Sequence, residues 1–116
     1  MSVTRSALLG GWQLESFDVG ARRPFGEQPR GLILYTADGW MSAQLAPGPG
    51  AEPGQPGIAY CGRYRLDEAT AVLHHQVTLS TLPELLERPQ LRNARIDGDV
   101  LTLSTDDAVL TWRRSR

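Results

Sequence analysis

Six polar side chains lie at positions from which they can converge: His75, Arg92, Gln90, Tyr60, Tyr64 and Ser16. Histidine changes charge near neutral pH, so His75 is the candidate general acid or base. A guanidinium can hold a carboxylate, or stabilise an enolate as its negative charge develops, and Arg92 is the candidate for that role. Gln90 would add a neutral donor, and Tyr60 or Tyr64 could donate a proton or orient a carbonyl. The chemistry this set suits is proton transfer next to a carbonyl, leading to isomerisation or ring closure. Each residue also has a purely structural reading: a satisfied core histidine, an arginine clamping Trp12 or Trp112, and tyrosines packed with bonded hydroxyls.

Convergence depends on strands. Within residues 60–82, two apolar-alternating runs flank the turn Asp67-Glu-Ala-Thr70 and are expected to place Tyr64 opposite Leu73, Gly62 opposite His75 and Tyr60 opposite Val77. Leu73, Val77 and Leu79 are the apolar parity of their strand, so His75, Tyr60 and Tyr64 point inward with them while His74, Gln76 and Cys61 point out. Gly62 would leave room for a substrate beside His75. Asp97-Gly-Asp99 marks a second hairpin, with Gln90, Arg92, Ala94 and Ile96 on the face of Leu101 and Leu103. An inward arginine is unusual enough to need a reason. Asp106-Asp107 leads to a last strand with Leu110 and Trp112 inside.

Asp38-Gly39 is the strongest short hairpin signal. Read as a two-residue loop, it puts Leu32, Leu34, Met41, Ala43 and Leu45 on the apolar face, and Ile33, Tyr35, Trp40, Ser42 and Gln44 on the other. Thr4 to Leu9 reads as a short capped helical turn before a first strand in which Trp12, Leu14 and Ser16 share a face. Thr81-Leu-Pro-Glu84 has capping-box spacing, which predicts a short helix near 82–88. The segments 18–30 and 46–57, rich in Gly and Pro, are candidate lids, and 46–57 is expected to be mobile. Eight short strands with hairpin connections predict an all-β fold, a single up-and-down antiparallel barrel. Eight strands can enclose one small ligand. The ligand would meet Tyr60, Tyr64, Gln90 and Ser16, together with Leu34, Met41, Leu73, Val77 and Leu103.

Composition narrows the function classes. The 116 residues carry a formal net charge of −1 and are 41% hydrophobic, which suits one ordinary domain spanning 1–116 and suggests neither a nucleic-acid nor a membrane partner. All 12 basic residues are arginine, so no lysine can form a Schiff base. Cys61 is the only cysteine, which rules out an intrachain disulfide. His74 and His75 lie on opposite strand faces and cannot chelate one metal together, so no metal is expected. Neither a phosphate loop nor a nucleotide fingerprint occurs, and no cofactor is expected. The N-terminus lacks a basic region followed by an apolar run, and a cytoplasmic location is the expectation.

The order and spacing of several motifs carry a resemblance. Leu9-Gly-Gly-Trp12, Pro24-Phe-Gly26, Pro29-Arg-Gly31, Tyr35-Thr-Ala-Asp-Gly39, Met41-Ser-Ala43, Tyr60-Cys-Gly-Arg-Tyr64, His75, Gln90-Leu-Arg92, Gly98-Asp99, Leu101-Thr-Leu-Ser-Thr105 and Leu110-Thr-Trp-Arg113 cover almost the whole chain. Together they resemble the bacterial and fungal lipocalin-like domain family. Gly10-x-Trp12 is also similar to the Gly-x-Trp of lipocalins proper, which implies that Arg113 or Arg114 stacks on the indole. Family members often carry two histidines followed by Val-Glu and then a Trp-x-Gly. Here His75-Gln76, Thr78 and Leu85-Leu-Glu87 stand at those positions, so the second histidine and the acid are not carried over. The resemblance implies a ligand-binding barrel. Some members accompany natural-product pathways, and similar small barrels include cofactor-free cyclases as well as passive binders.

The leading expectation is therefore a cofactor-free isomerase or cyclase acting on a small, largely apolar carbonyl or carboxylate compound, with His75 as acid/base and Arg92 as anion stabiliser. A carrier that only orients such a ligand is the alternative. A third reading, a dry barrel serving as an interaction module, would use Tyr35 and Trp40 as its working surface.

Overall fold

Alternating apolar positions separated by tight turns give each strand one face to bury, and closing the sheet on itself buries it without leaving a free edge. In the computed structural model, which describes residues 3–115, the strands form a closed barrel of β1 (Gly10–Val19), β2 (Arg30–Tyr35), β3 (Trp40–Ala46), β4 (Ile58–Asp67), β5 (Val72–Ser80), β6 (Gln90–Asp97), β7 (Val100–Ser104) and β8 (Ala108–Arg114). Every neighbouring pair is antiparallel, and β8 closes on β1. The expected eight-stranded up-and-down barrel is what the chain forms.

One end is plugged. The helix α1 (Arg5–Leu8), capped by the Thr4 hydroxyl accepting from the Ala7 N–H, lays buried Leu8 against the barrel floor. There the Trp12 indole donates to the Leu8 carbonyl at 2.9 Å, and the Arg114 guanidinium stacks 4.0 Å from the Trp12 ring. Arg114 also donates to the carbonyls of Leu9 and Ala7, so of the two candidate arginines it is Arg114 that seals the floor. Arg113 instead points out and pairs with exposed Glu15 at 2.8 Å.

Turns and bulges decide which residues enter the barrel, and one turn and two bulges differ from expectation by one residue. Around Asp38-Gly39 the loop has three residues, not two: the Thr36 N–H donates to the Trp40 carbonyl at 2.9 Å, and Gly39 takes φ +95° to make the turn. Tyr35 then pairs with Met41 and Ile33 with Ala43, so β3 keeps its expected face while β2 reverses. Ile33 and Tyr35 are buried and Leu34 is 39% exposed, which corrects Leu34 as an interior residue. Tyr35 likewise leaves the proposed outer working surface, where only Trp40 remains, stacked under Arg63.

In β1 a bulge at Glu15 shifts the pairing from Leu14↔Trp112 to Ser16↔Thr111 and Phe17↔Leu110. An extra residue in one strand inverts every later side chain. Ser16, expected inside, therefore faces out and Phe17 faces in. A second bulge, at Thr78 of β5, separates Gly62↔Val77 from Cys61↔Leu79 and Tyr60↔Ser80. It leaves Leu79, expected inside, 68% exposed beside outward Cys61.

The β4–β5 turn departs by two in register, which preserves facing. Asp67 pairs with Val72, Ala71 holds φ +59°, and the Asp67 carboxylate accepts from the backbone of Ala69 and Thr70. His75 consequently opposes Tyr64, and Val77 opposes Gly62. Gly62 leaves no room for a substrate: a Cβ there would lie 2.0 Å from the Gln76 carbonyl oxygen, so the glycine exists for close strand approach.

The capping box does not form. Thr81 accepts from the Ala59 N–H instead, and the segment is a 3₁₀ turn, η1 (Pro83–Leu86), entered through Leu82 with the Ser80 hydroxyl on its N–H. At the same end the two glycine-rich loops pack on each other. The Gly48 N–H donates to the Phe25 carbonyl, Arg22 pairs with Glu52 at 2.7 Å, and buried Phe25 meets Phe17 edge-on at 5.1 Å. No helix among the described residues is long and apolar enough to cross a membrane.

Candidate functional site

The plugged floor leaves the other end of the barrel as the way in. A cavity of about 210 Å³ lies there. Its deep wall is apolar and buried: Ile33 from β2, Leu103 from β7 and Trp112 from β8. Its mouth is formed by partly exposed Ile58, Leu82, Leu85, Thr105 and Ala108, so η1 and the β7–β8 turn frame the entrance. Phe17, turned inward by the β1 bulge, completes the side.

Two of the expected polar residues reach this cavity. Arg92 pairs with Leu73 on the inward parity of β6 and is, among the described residues, the one charged side chain lining the wall. It donates to its neighbour's carbonyl, Leu91 O, at 2.9 Å, and no ion pair among the described residues engages it. Tyr60 lines the same cavity, and its hydroxyl lies 3.2 Å from His75 Nδ1.

His75 itself stands one layer back. It is fully buried, outside the cavity lining, and its Nε2 is 2.8 Å from the hydroxyl of Tyr35. Burial, and then the nearby Arg92 charge, push its pKa down from 6.5 to about 3, so the imidazole is neutral across the physiological range. Burial also raises both tyrosines, Tyr35 well above its ordinary 10, so both hydroxyls keep their protons. The result is a neutral hydrogen-bonded row, Tyr35–His75–Tyr60, running from the core to the cavity wall.

The other expected ligand contacts fall elsewhere. Tyr64 is buried against Tyr35 at 5.0 Å and donates to the Thr36 carbonyl at 2.6 Å, which fastens the β2–β3 turn. Gln90 points inward beside His75 but spends its amide on the Leu85 and Arg88 carbonyls, holding η1 in place. Met41, Leu73 and Val77 are core residues beneath the cavity and do not line it, whereas Leu103 does. Leu34 and Ser16 are on the outside. The parity reading missed Phe17 and Tyr35. For Tyr35 the signal was present: a Thr two residues before Asp38-Gly39 suits a three-residue loop whose glycine takes the left-handed position. For Phe17 the hint was a large apolar residue standing alone on the supposed outer face of β1. Among the described residues no group of three or more His, Cys, Asp or Glu side chains is placed to hold a metal.

A closed barrel with a blind floor and an apolar cavity opening at the far end defines a lipocalin-like architecture, one that suggests small-molecule binding. The chain belongs to the lipocalin-like domain family, whose profile matches residues 9–56 and 50–115. Two solved structures share the fold. An uncharacterized protein from Bacteroides eggerthii superposes with a TM-score of 0.59 at 10% identity, covering 93% of this chain and 99% of that one. A lipocalin-like protein from Bacteroides uniformis gives 0.56 at 14% identity, covering 93% and 98%. No curated protein matches the sequence.

Proposed function

We propose that the protein binds a small, largely apolar molecule bearing one carboxylate or carbonyl, a natural-product-like acid or ketone, with that group held at Arg92. The supporting observation is Arg92 itself, a cation on the wall of a mostly apolar cavity with no acidic partner among the described residues. Its free N–H groups can give a carboxylate charge-assisted hydrogen bonds. A single free cysteine suits a reducing cytoplasm as the place of work. Titration with octanoate, followed by tryptophan fluorescence, tests the reading. Arg92→Met should weaken binding by about tenfold or more, and equal affinity in the two proteins would refute the role.

Tyr60 favours a second, catalytic reading, because its hydroxyl joins the cavity to His75. In a cofactor-free isomerase or cyclase of this design, Tyr60 would meet the carbon or oxygen exchanging a proton, His75 would sit behind it, and Arg92 would stabilise the enolate. An imidazole held near 3 is a weak base, and for that reason binding stands first. Conversion of a β,γ-unsaturated ketone to its conjugated isomer, no faster with wild type than with the Tyr60→Phe variant, would remove the catalytic reading.

A further inference from the structure

The hydrogen-bond row has more content than its distances, because a neutral imidazole carries one donor and one acceptor. Tyr35 is buried, and among the described residues its hydroxyl has a single partner, His75 Nε2. If Nε2 carried the proton, it would donate to the Tyr35 oxygen and leave the Tyr35 O–H buried without an acceptor. If Nδ1 carries it, Tyr35 donates to Nε2 and Nδ1–H donates to Tyr60. Tyr35 and both ring nitrogens of His75 are then satisfied. The cost of a buried unpaired hydroxyl is enough to favour the second arrangement by about tenfold or more. Its consequence falls on the cavity. The Tyr60 oxygen is occupied as an acceptor, and its O–H is free to donate to whatever fills the space.

The remaining polar side chains of the wall have the same bias. Arg92 offers only N–H groups. Thr105 Oγ1 already accepts from the backbone N–H groups of Asp107 and Ala108, which leaves its own O–H to give. Trp112 also lines the cavity, but its indole N–H is itself buried, out of reach of the space, and has no acceptor among the described residues. Thus three side chains around one cavity of about 210 Å³, Tyr60, Arg92 and Thr105, present donors, and none of the three has an uncommitted acceptor. At roughly 30 Å³ for each water displaced, that volume holds about seven waters, or a guest of about ten non-hydrogen atoms.

We propose that Tyr35 fixes His75 as the Nδ1–H tautomer, that this sets Tyr60 as a donor to the cavity, and that the barrel thereby selects guests whose head group only accepts, a carboxylate or carbonyl, over amines. The proposal rests on the binding reading above and deepens it. Tyr35 acts here as a positioning residue and Tyr60 as the specificity-determining one.

Two measurements separate the levels. In the ligand-free protein, a long-range proton–nitrogen correlation spectrum of the His75 ring should show Nδ1 protonated and Nε2 bare, opposite to the slight preference of free imidazole. Tyr35→Phe should raise the Nε2–H population, a change that mere loss of packing would not produce. A wild-type ring protonated mainly at Nε2 overturns the proposal and leaves ligand binding untouched. In titrations, octanoate should bind and octylammonium should not, and Tyr60→Phe should weaken octanoate about tenfold. Equal binding of the two probes overturns the donor-only wall. Failure of both probes to bind wild type, with the tautomer as expected, instead defeats the binding reading on which the selectivity claim rests.

Discussion

His75 should make the barrel sensitive to acid in a way that a single substitution removes. In the unfolded chain its imidazole takes a proton near 6.5, whereas in the barrel, buried and facing the Arg92 charge, it does so only near 3. Between those values the unfolded state holds the extra proton, so stability falls as pH falls. At 1.36 kcal/mol per unit, this one residue costs about 2 kcal/mol of stability by about pH 5 and about 3 kcal/mol by about pH 4. Those are large fractions of the roughly 5–15 kcal/mol that hold a domain together. Asp38 and Glu52, whose carboxyls are held low by Thr36 and Arg22 respectively, also lose their contributions in acid. Subtracting a His75→Gln variant cancels them, because glutamine keeps hydrogen-bonding capacity between the tyrosines and does not titrate. Urea unfolding of both proteins at successive pH values should show wild type losing its advantage by about 2 kcal/mol between about pH 7 and pH 5. Parallel curves would refute the reasoning, as would a His75 ring resonance that titrates near neutrality.

Other perturbations have equally definite outcomes. Arg114→Ala removes the stack on Trp12 and both carbonyl contacts at the floor, and should cost about 2–3 kcal/mol in urea unfolding, whereas Arg113→Ala, losing only an exposed pair, should leave the midpoint unchanged. Gly62→Ala would drive a Cβ to 2.0 Å from the Gln76 carbonyl oxygen, and should destabilise by about 3 kcal/mol or prevent folding, read from soluble yield and thermal unfolding. Ala108→Phe at the cavity mouth should block octanoate binding in calorimetry while leaving the melting temperature within a few degrees of wild type.

The barrel was legible because strand count and turn position survive small errors in register. Asp38-Gly39, Asp67-Glu-Ala-Thr70 and Asp97-Gly-Asp99 each announce a hairpin whatever its exact loop length, and the pairing of β6 with β7 through Ala94↔Leu103 and Ile96↔Leu101 has the expected facing. Facing is less forgiving, since a strand alternates every residue. Where the β4–β5 turn departed by two, Tyr64 and His75 stayed inside. Where a loop or bulge departed by one, Leu34, Ser16 and Leu79 went outside and Tyr35 and Phe17 came in. Arg92 and Tyr60 were found because inward polar residues stand out against an apolar parity. That Gln90 and Tyr64 would spend their hydrogen bonds on η1 and the β2–β3 turn lay beyond reach, because those partners are distant carbonyls that carry no sequence signal.

Two residues that sequence parity misplaced, Tyr35 and Phe17, also shape the site, and the two facts share a cause. A barrel of regular strands would present Leu32 and Leu34 to its interior and leave His75 without a partner at Nε2. The three-residue loop at Asp38-Gly39 costs one register step and delivers Tyr35 to that nitrogen. The bulge at Glu15 turns Phe17 onto the cavity, and the bulge at Thr78 lets β4 and β5 stay paired while Tyr60 remains inward, within reach of Nδ1. Bulges re-aim side chains near binding sites in many sheets. Here each single-residue irregularity places one wall or hydrogen-bond partner of the same small space. Regular alternation therefore builds the container, and the departures from it determine what the container can hold.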